Sequence, residues 1–188
     1  MWLLFLYHGS ISISILAIQY TNLSGYHVFI TTCSPYNFNL MRGLGTDIVS
    51  DYNNPGSAAQ IYKPTNNSLK LALDCMTFSS SVDFSGRTFS TEGGEYLSPL
   101  SVKIDCANDN SLFLLAYTTL GEAFNFGDLS FLAKPEDFEH VKKFTQVAQG
   151  LLNQGKIKAY PPNIGKDGLR GALEGIELLG PTKSVGRD

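Results

Sequence analysis

The chain has 188 residues, with 14 Lys and Arg against 17 Asp and Glu, for a formal net charge of −3. That length fits one domain or one and a fraction, and a hydrophobic share of 43% excludes a disordered chain. Charged residues make up only 16%, against about 25% in a typical soluble domain, and no Lys/Arg cluster exists, so neither nucleic acid nor an anionic membrane is expected as a partner.

Trp2 to Tyr7 reads as a buried strand. Its apolar run is far short of the ~20 residues that span a bilayer, and it lacks the basic start of a signal peptide. A chain that opens inside a core strand suggests further sequence upstream. Ile13, Leu16, Ala17 and Tyr20 then mark one face of a helix, with Ser10 or Ser12 as its cap and Gly25 as its end. Val28 to Thr31 is a second strand, and a helix carrying Phe38, Met41 and Leu44 follows, stopped by Gly45. Ile48 to Tyr52 is a third strand, Pro55 to Ile61 a weak helix, and Leu69 to Leu73 a fourth strand ending at Asp74.

Thr77 to Thr91 is rich in Ser and Thr without a clean period, which predicts a poor helix or a loop. Glu95 to Leu97 is a short fifth strand, and Ser101 to Cys106 alternates as an edge strand would. Leu112 to Thr119 is apolar, and the LGEAFNFG run after it reads as irregular. Lys134-Pro135-Glu136-Asp137 is a helix start, with proline in the first turn and acids at the positive end of the dipole. Phe138, Val141, Phe144, Ala148, Leu151 and Leu152 mark one face, and Gly155 ends it. Asp167 caps a last helix with Leu169, Ala172, Leu173 and Ile176.

Cys33, Cys75 and Cys106 are far apart in sequence and form no CxxC. They read as three reduced thiols of a cytoplasmic protein. His8, His27 and His140 share no ligand spacing, so no metal site is expected. Strands alternating with helices argue an α/β fold, a parallel sheet of βαβ units with helices on both faces. Ligands of such sheets bind outside the carboxyl ends of the strands.

The first strand-to-helix turn is His8-Gly9-Ser10-Ile11-Ser12-Ile13-Ser14. Small residues before a helix N-terminus suit a pyrophosphate, but the turn does not match GxGxxG, because only Gly9 is present. A nucleotide site and an ordinary buried turn both remain open here. The second strand ends in Thr31-Thr32-Cys33-Ser34, with no acid for a ribose 2′-hydroxyl. A neutral, hydroxyl-rich turn favours NADP over NAD. It is also compatible with a plain helix cap by Ser34 ahead of Pro35.

Taken in order, LYHGSISISILAIQ, TCSPYNFNLMRGLGTDIVSDY, LKLALDC, AYTTLGEAF, AKPEDFEHVKKF, LLNQGKIK and GLRGALEGIELL span nearly the whole chain. Together they resemble the medium-chain dehydrogenase/reductase superfamily, and within it the fungal trans-acting enoyl reductases of polyketide biosynthesis, of the lovastatin type. The resemblance implies a Rossmann-like NADP-binding domain over residues 1–125. Residues 126–188 would be a C-terminal helical remnant of the catalytic domain. It places Ile11, Ser12, Ile13 and Ser14 under the NADPH pyrophosphate. Ser34, Pro35, Tyr36, Asn37 and Tyr52 would surround the adenosine 2′-phosphate end. Pro99 and Leu100 would lie near the nicotinamide, with Ser184 and Val185 approaching it from the C-terminal side. Thr118, Thr119, Leu120, Gly121 and Glu122 would line the substrate channel.

The chain departs from that family at two positions where it has glycine, here His8 and Ser14. The family's N-terminal GroES-like domain and a closing strand after Asp188 are also absent. The resemblance therefore implies a truncated, zinc-independent NADPH-dependent oxidoreductase that reduces the C=C bond of an enoyl thioester, with a polyketide synthase in trans. No catalytic residue is assigned. The alternatives are a non-catalytic fragment binding nucleotide or a partner protein weakly, and a quinone or alkenal reductase.

Overall fold

The computed structural model describes residues 3–25, 27–105, 110–160, 166 and 168–178. Two compact units comprise residues 1–158 and 159–188.

The first unit is built on a parallel sheet. Its strands are β1 (Leu3–Tyr7), β2 (His27–Thr32), β3 (Ile48–Ser50), β4 (Leu71–Asp74), β5 (Glu95–Ser98) and β6 (Asn110–Phe113), ordered β3-β2-β1-β4-β5-β6. The crossovers carry α1 (Ser12–Leu23), α2 (Phe38–Gly43), α3 (Ser57–Thr65) and α4 (Ser79–Thr88). Strand order reverses between β1 and β4, where Tyr7 pairs with Asp74. This is the expected Rossmann-like α/β architecture, and ligands of such sheets bind at the switch point.

β1 shows why both faces must be covered. Leu4 and Leu6 pack with Ile15, Ile18, Cys33 and Met41 on the side of α1 and α2. Phe5 and Tyr7 pack with Ala58, Ile61 and Phe84 on the side of α3 and α4. Successive side chains of a strand point to opposite faces, so an unbroken apolar run fills two cores at once.

Several expectations need correction. The buried face of α1 is Ser14, Ile15 and Ile18, while Ile13 is 61% exposed. The run ISILAI is apolar all round, so its period does not select the inner face. Neither Ser10 nor Ser12 caps α1. Ile11 occupies that position without a side-chain bond.

The stretch expected to be a poor helix or loop contains the regular helix α4. Its buried face is Ser81, Phe84, Ser85 and Thr88. Ser81 Oγ bonds the Asp74 carboxyl, and Thr88 Oγ1 donates to Ser85 O at 2.8 Å. Ser85 Oγ on the same face is buried without a partner, and a face built on hydroxyls is invisible to apolar periodicity.

Residues 101–105 form no strand, and the sheet edge is β6 instead. Ile104 is buried in the α3/α4-side core rather than placed in a ladder. The run read as irregular, Leu120 to Gly127, contains β7 (Phe124–Phe126), which pairs with β8 (Leu129–Phe131) just beyond it in a hairpin around Gly127-Asp128. Phe124 and Phe131 stack across it at 5.0 Å. α5 (Pro135–Asn153) starts at Pro135 as expected, with Glu136 and Asp137 in its first turn. None of its residues is buried, and Phe138, Phe144 and Leu152 stay 42–43% exposed.

In the second unit the described helix is α6 (Gly168–Leu178), with Leu169, Leu173 and Ile176 exposed along it. Asp167, Ser184, Val185 and Cys106 lie outside the described residues.

Candidate functional site

The mouth of the first crossover is a turn stapled to β2. Gly9 N–H donates to Thr32 O at 2.8 Å, and His8 N–H donates to Thr32 Oγ1 at 3.2 Å. Gly9 is buried, and a Cβ there would stand 2.1 Å from Thr31 Oγ1 and 2.9 Å from Met41 Sδ. Packing against β2 and α2 therefore demands this glycine.

In α1 the first bond is Ile15 N–H to Ile11 O, at 2.9 Å. The amides of Ser12, Ile13 and Ser14 have no acceptor among the described residues, as the start of a helix dictates. Ser12 and Ile13 are exposed, and no acidic residue stands in the first turn. Free N–H groups and positive helix potential without a competing carboxylate fit an anion such as a pyrophosphate. Ser14 is fully buried and turns its hydroxyl inward, beside the Cys75 thiol. Burial pushes that thiol up to about 11, and the Ser14 hydroxyl works against the rise.

The second cluster joins β2, β3 and the first turn. Ser34 precedes a 3-10 turn, Pro35–Asn37, without capping it through its side chain. Its Oγ instead lies 2.9 Å from Tyr52 Oη. Two residues expected at one end of the cofactor therefore meet. Tyr36 is 95% exposed, Pro35 is exposed, and Asn37 is half-buried. Cys33 beneath them is buried, and its thiol is pushed up to about 11, by burial first and Asp51 second, with Arg42 opposing.

The other face of this cluster belongs to His8. Its imidazole stacks on Tyr52 with centroids 4.4 Å apart and planes at 23°, and it lies 5.0 Å from the Tyr7 ring. Both neighbours pack with the α3/α4-side core, across the sheet from the core that α1 covers. His8 has φ 60°, and its Nδ1 is buried without a hydrogen-bond partner. Burial holds the imidazole below its ordinary range, although Asp74 pulls the other way.

Asp74 closes β4 at the switch point and is fully buried. Its Oδ1 accepts the N–H groups of Met76 and Thr77, each at 2.9 Å. Its Oδ2 accepts from Ser81 Oγ, and from Tyr96 Oη at 2.6 Å. These bonds hold Thr77 at φ 55°. Burial and Asp74 both raise the Tyr96 hydroxyl far above its ordinary value, and they push Tyr7 up to about 12. In the sequence Asp74 reads only as a strand end. An acid closing an apolar strand, followed three to seven residues on by hydroxyls, is the available signal.

The remaining candidates follow the carboxyl ends of β5 and β6. Pro99 and Leu100 come directly after β5, where Ser98 Oγ donates to Leu100 O at 2.8 Å. Thr118 to Leu120 lie in a 3-10 turn, Ala116–Leu120, packed against α5. Gly121 ends that turn at φ 75°, and a Cβ there would stand 2.8 Å from Phe138 Cβ. Leu120 and Glu122 are exposed. Thr118 lines a pocket of about 360 Å³ with Phe113, Leu115, Lys134 and Asp137. A larger pocket, of about 660 Å³, lies elsewhere, between α4 and residues 102–105. Among the described residues no hydrogen bond or ring contact joins residues 99–100 or 118–122 to the α1 mouth or to Ser34 and Tyr52.

No protein-family model matches the chain. The dual trans-enoyl reductase/FAD-dependent monooxygenase tazHJ of Aspergillus terreus is 39% identical over 175 residues, covering 93% of this chain and 25% of its own length. The trans-enoyl reductase TOXD of Cochliobolus carbonum is 45% identical over 139 residues, covering 74% and 46%. The trans-enoyl reductase BOA5 of Botryotinia fuckeliana is 36% identical over 185 residues, covering 96% and 49%. The chain thus spans about half the length, or less, of these curated relatives. Among solved structures, JamJ enoyl reductase in its apo form superposes with TM-score 0.68 at 15% identity, covering 99% of this chain and 53% of that one. CurK enoyl reductase gives 0.63 at 14%, covering 85% and 46%. At such identities the likeness is one of fold.

Proposed function

We propose, for a chain that belongs by sequence to the fungal trans-enoyl reductases and spans about half their length, that it carries the cofactor-binding half of an NADPH-dependent enoyl reductase. The observation that carries the reading is the α1 mouth. Three free amides and no carboxylate stand at the carboxyl edge of β1, beside the point where strand order reverses.

In this reading the amides of Ser12, Ile13 and Ser14 hold the pyrophosphate, with Ile11 backing the turn. Ser34 to Asn37 and Tyr52 surround the 2′-phosphate end. The neutral run Thr31 to Ser34 sets no carboxylate against that phosphate, which favours NADPH over NADH. Pro99 and Leu100 flank the nicotinamide end, and Thr118 to Glu122 line the path of an enoyl thioester whose C=C bond is reduced. NADPH, when bound, supplies the hydride. The chain contributes orientation and exclusion of water. Residues 1–125 then serve as the nucleotide-binding domain and residues 126–188 as part of the second domain, acting in the cytoplasm in trans with a polyketide synthase.

Parallel titrations of the full chain with NADPH and NADH test the reading. Saturable binding that is tighter for NADPH supports it, and turnover of a crotonyl thioester would establish the enzyme. No saturation by either cofactor at about 1 mM overturns it.

A further inference from the structure

Three separate features meet at His8. Its backbone takes a left-handed φ of 60°, a conformation that costs an L residue with a Cβ and suits glycine. Its Nδ1 is buried without a hydrogen-bond partner, one of seven such side-chain atoms among the described residues. Its ring covers one face of Tyr52 at 4.4 Å. Strain and an unpaired polar atom at the carboxyl end of the central strand belong with a functional position more than with a purely packing one. Tyr52, for its part, is held in place from the opposite end by Ser34, with 2.9 Å between Oη and Oγ. Tyr52 thus offers a fixed aromatic face near the carboxyl edge of the sheet, the side on which ligands of such folds bind, and such a ring can stack on a planar heterocycle. Here that face is already taken by a side chain of the same protein.

We propose that His8 is a built-in competitor for the Tyr52 face: the imidazole occupies the surface on which the planar base of a nucleotide would stack, and it must leave before the base can enter. His8 thereby sets the nucleotide affinity of this chain. This rests on the dinucleotide reading above and goes beyond it, because it assigns a role to a residue outside the expected binding set. Glycine at this position removes the competing ring, relieves the left-handed strain and eliminates the unpaired Nδ1 together.

The test uses the full chain, with NADPH and adenosine 2′,5′-bisphosphate as probes, titrated by calorimetry at fixed pH and salt. His8→Gly is expected to bind both about three- to tenfold tighter than the parent chain, the size of one aromatic stacking contact. It is also expected to melt no lower without ligand. In a Tyr52→Leu background, where the disputed face is gone, the His8→Gly gain is expected to vanish. Parent-like or weaker binding by a folded His8→Gly chain overturns the inference, and so does a gain that survives in Tyr52→Leu. Failure of the dinucleotide reading looks different: parent and variant then both fail to bind either probe, and the inference falls with it.

Discussion

The imidazole of His8 and the ring of Tyr52 stack at 4.4 Å and 23°, tying the end of β1 to the loop after β3. Burial holds this imidazole below its ordinary value of 6.5, so the unfolded chain binds a proton more readily than the folded one. The neutral ring's contribution to stability is present above the ordinary imidazole value and is lost as pH falls toward the lower folded value. His8→Gln is expected to flatten that acid limb. Urea midpoints measured between about pH 7 and pH 5 check it; an unchanged slope contradicts it.

The alkaline limb has the opposite sign. Cys33 and Cys75 rise from 9.0 to about 11, and Tyr7 rises from 10.0 to about 12, all chiefly through burial. The folded chain therefore keeps these protons when the unfolded chain releases them. Their contribution is intact below the unfolded values and is lost as pH climbs from about 9 toward about 12. Cys33→Ala and Cys75→Ala are each expected to lessen the steepness of the loss, read from urea midpoints across that range.

Asp74, itself fully buried, anchors four donors from three segments. Asp74→Ala leaves the Tyr96 hydroxyl and two amides without an acceptor, at an expected cost of about 3 kcal/mol or more. Tyr96→Phe removes one donor only and is expected to cost about 1 kcal/mol. Equilibrium denaturation orders the two; equal losses would contradict the placement of Asp74 as the hub.

Gly9→Ala places a methyl 2.1 Å from Thr31 Oγ1. That hydroxyl donates to Leu6 O at 2.7 Å, so it cannot move without breaking the bond. The expected destabilisation is about 1–3 kcal/mol or more, measured as a lowered denaturation midpoint.

Much of this was legible in the sequence. The alternation of strands and helices pointed to the parallel sheet, because short unbroken apolar runs such as Trp2 to Tyr7, set between helical patterns, suit strands covered on both faces. Ser34 and Tyr52, which the resemblance sets side by side, lie with their oxygens 2.9 Å apart. The misses have physical causes. α4 buries the hydroxyls of Ser81, Ser85 and Thr88, of which Ser81 bonds Asp74, so its inner face carries no apolar period. The β7–β8 hairpin has three-residue strands, too short for alternation to show. His8 drew notice as a bulky residue in a glycine position, but the direction of its ring depends on Tyr52, 44 residues on.

The most direct measurement concerns the amides at the start of α1. Ser12 is the first residue of that helix, and Ile11 before it has φ −86° and ψ 161°, values a residue preceding proline accepts. Ser12→Pro therefore deletes one free N–H while the helix keeps its start. With the denaturation midpoint unchanged, NADPH affinity is expected to fall about tenfold or more, the loss of a hydrogen bond to a charged oxygen. A folded Ser12→Pro chain that binds NADPH as tightly as the parent would contradict a pyrophosphate held at this helix.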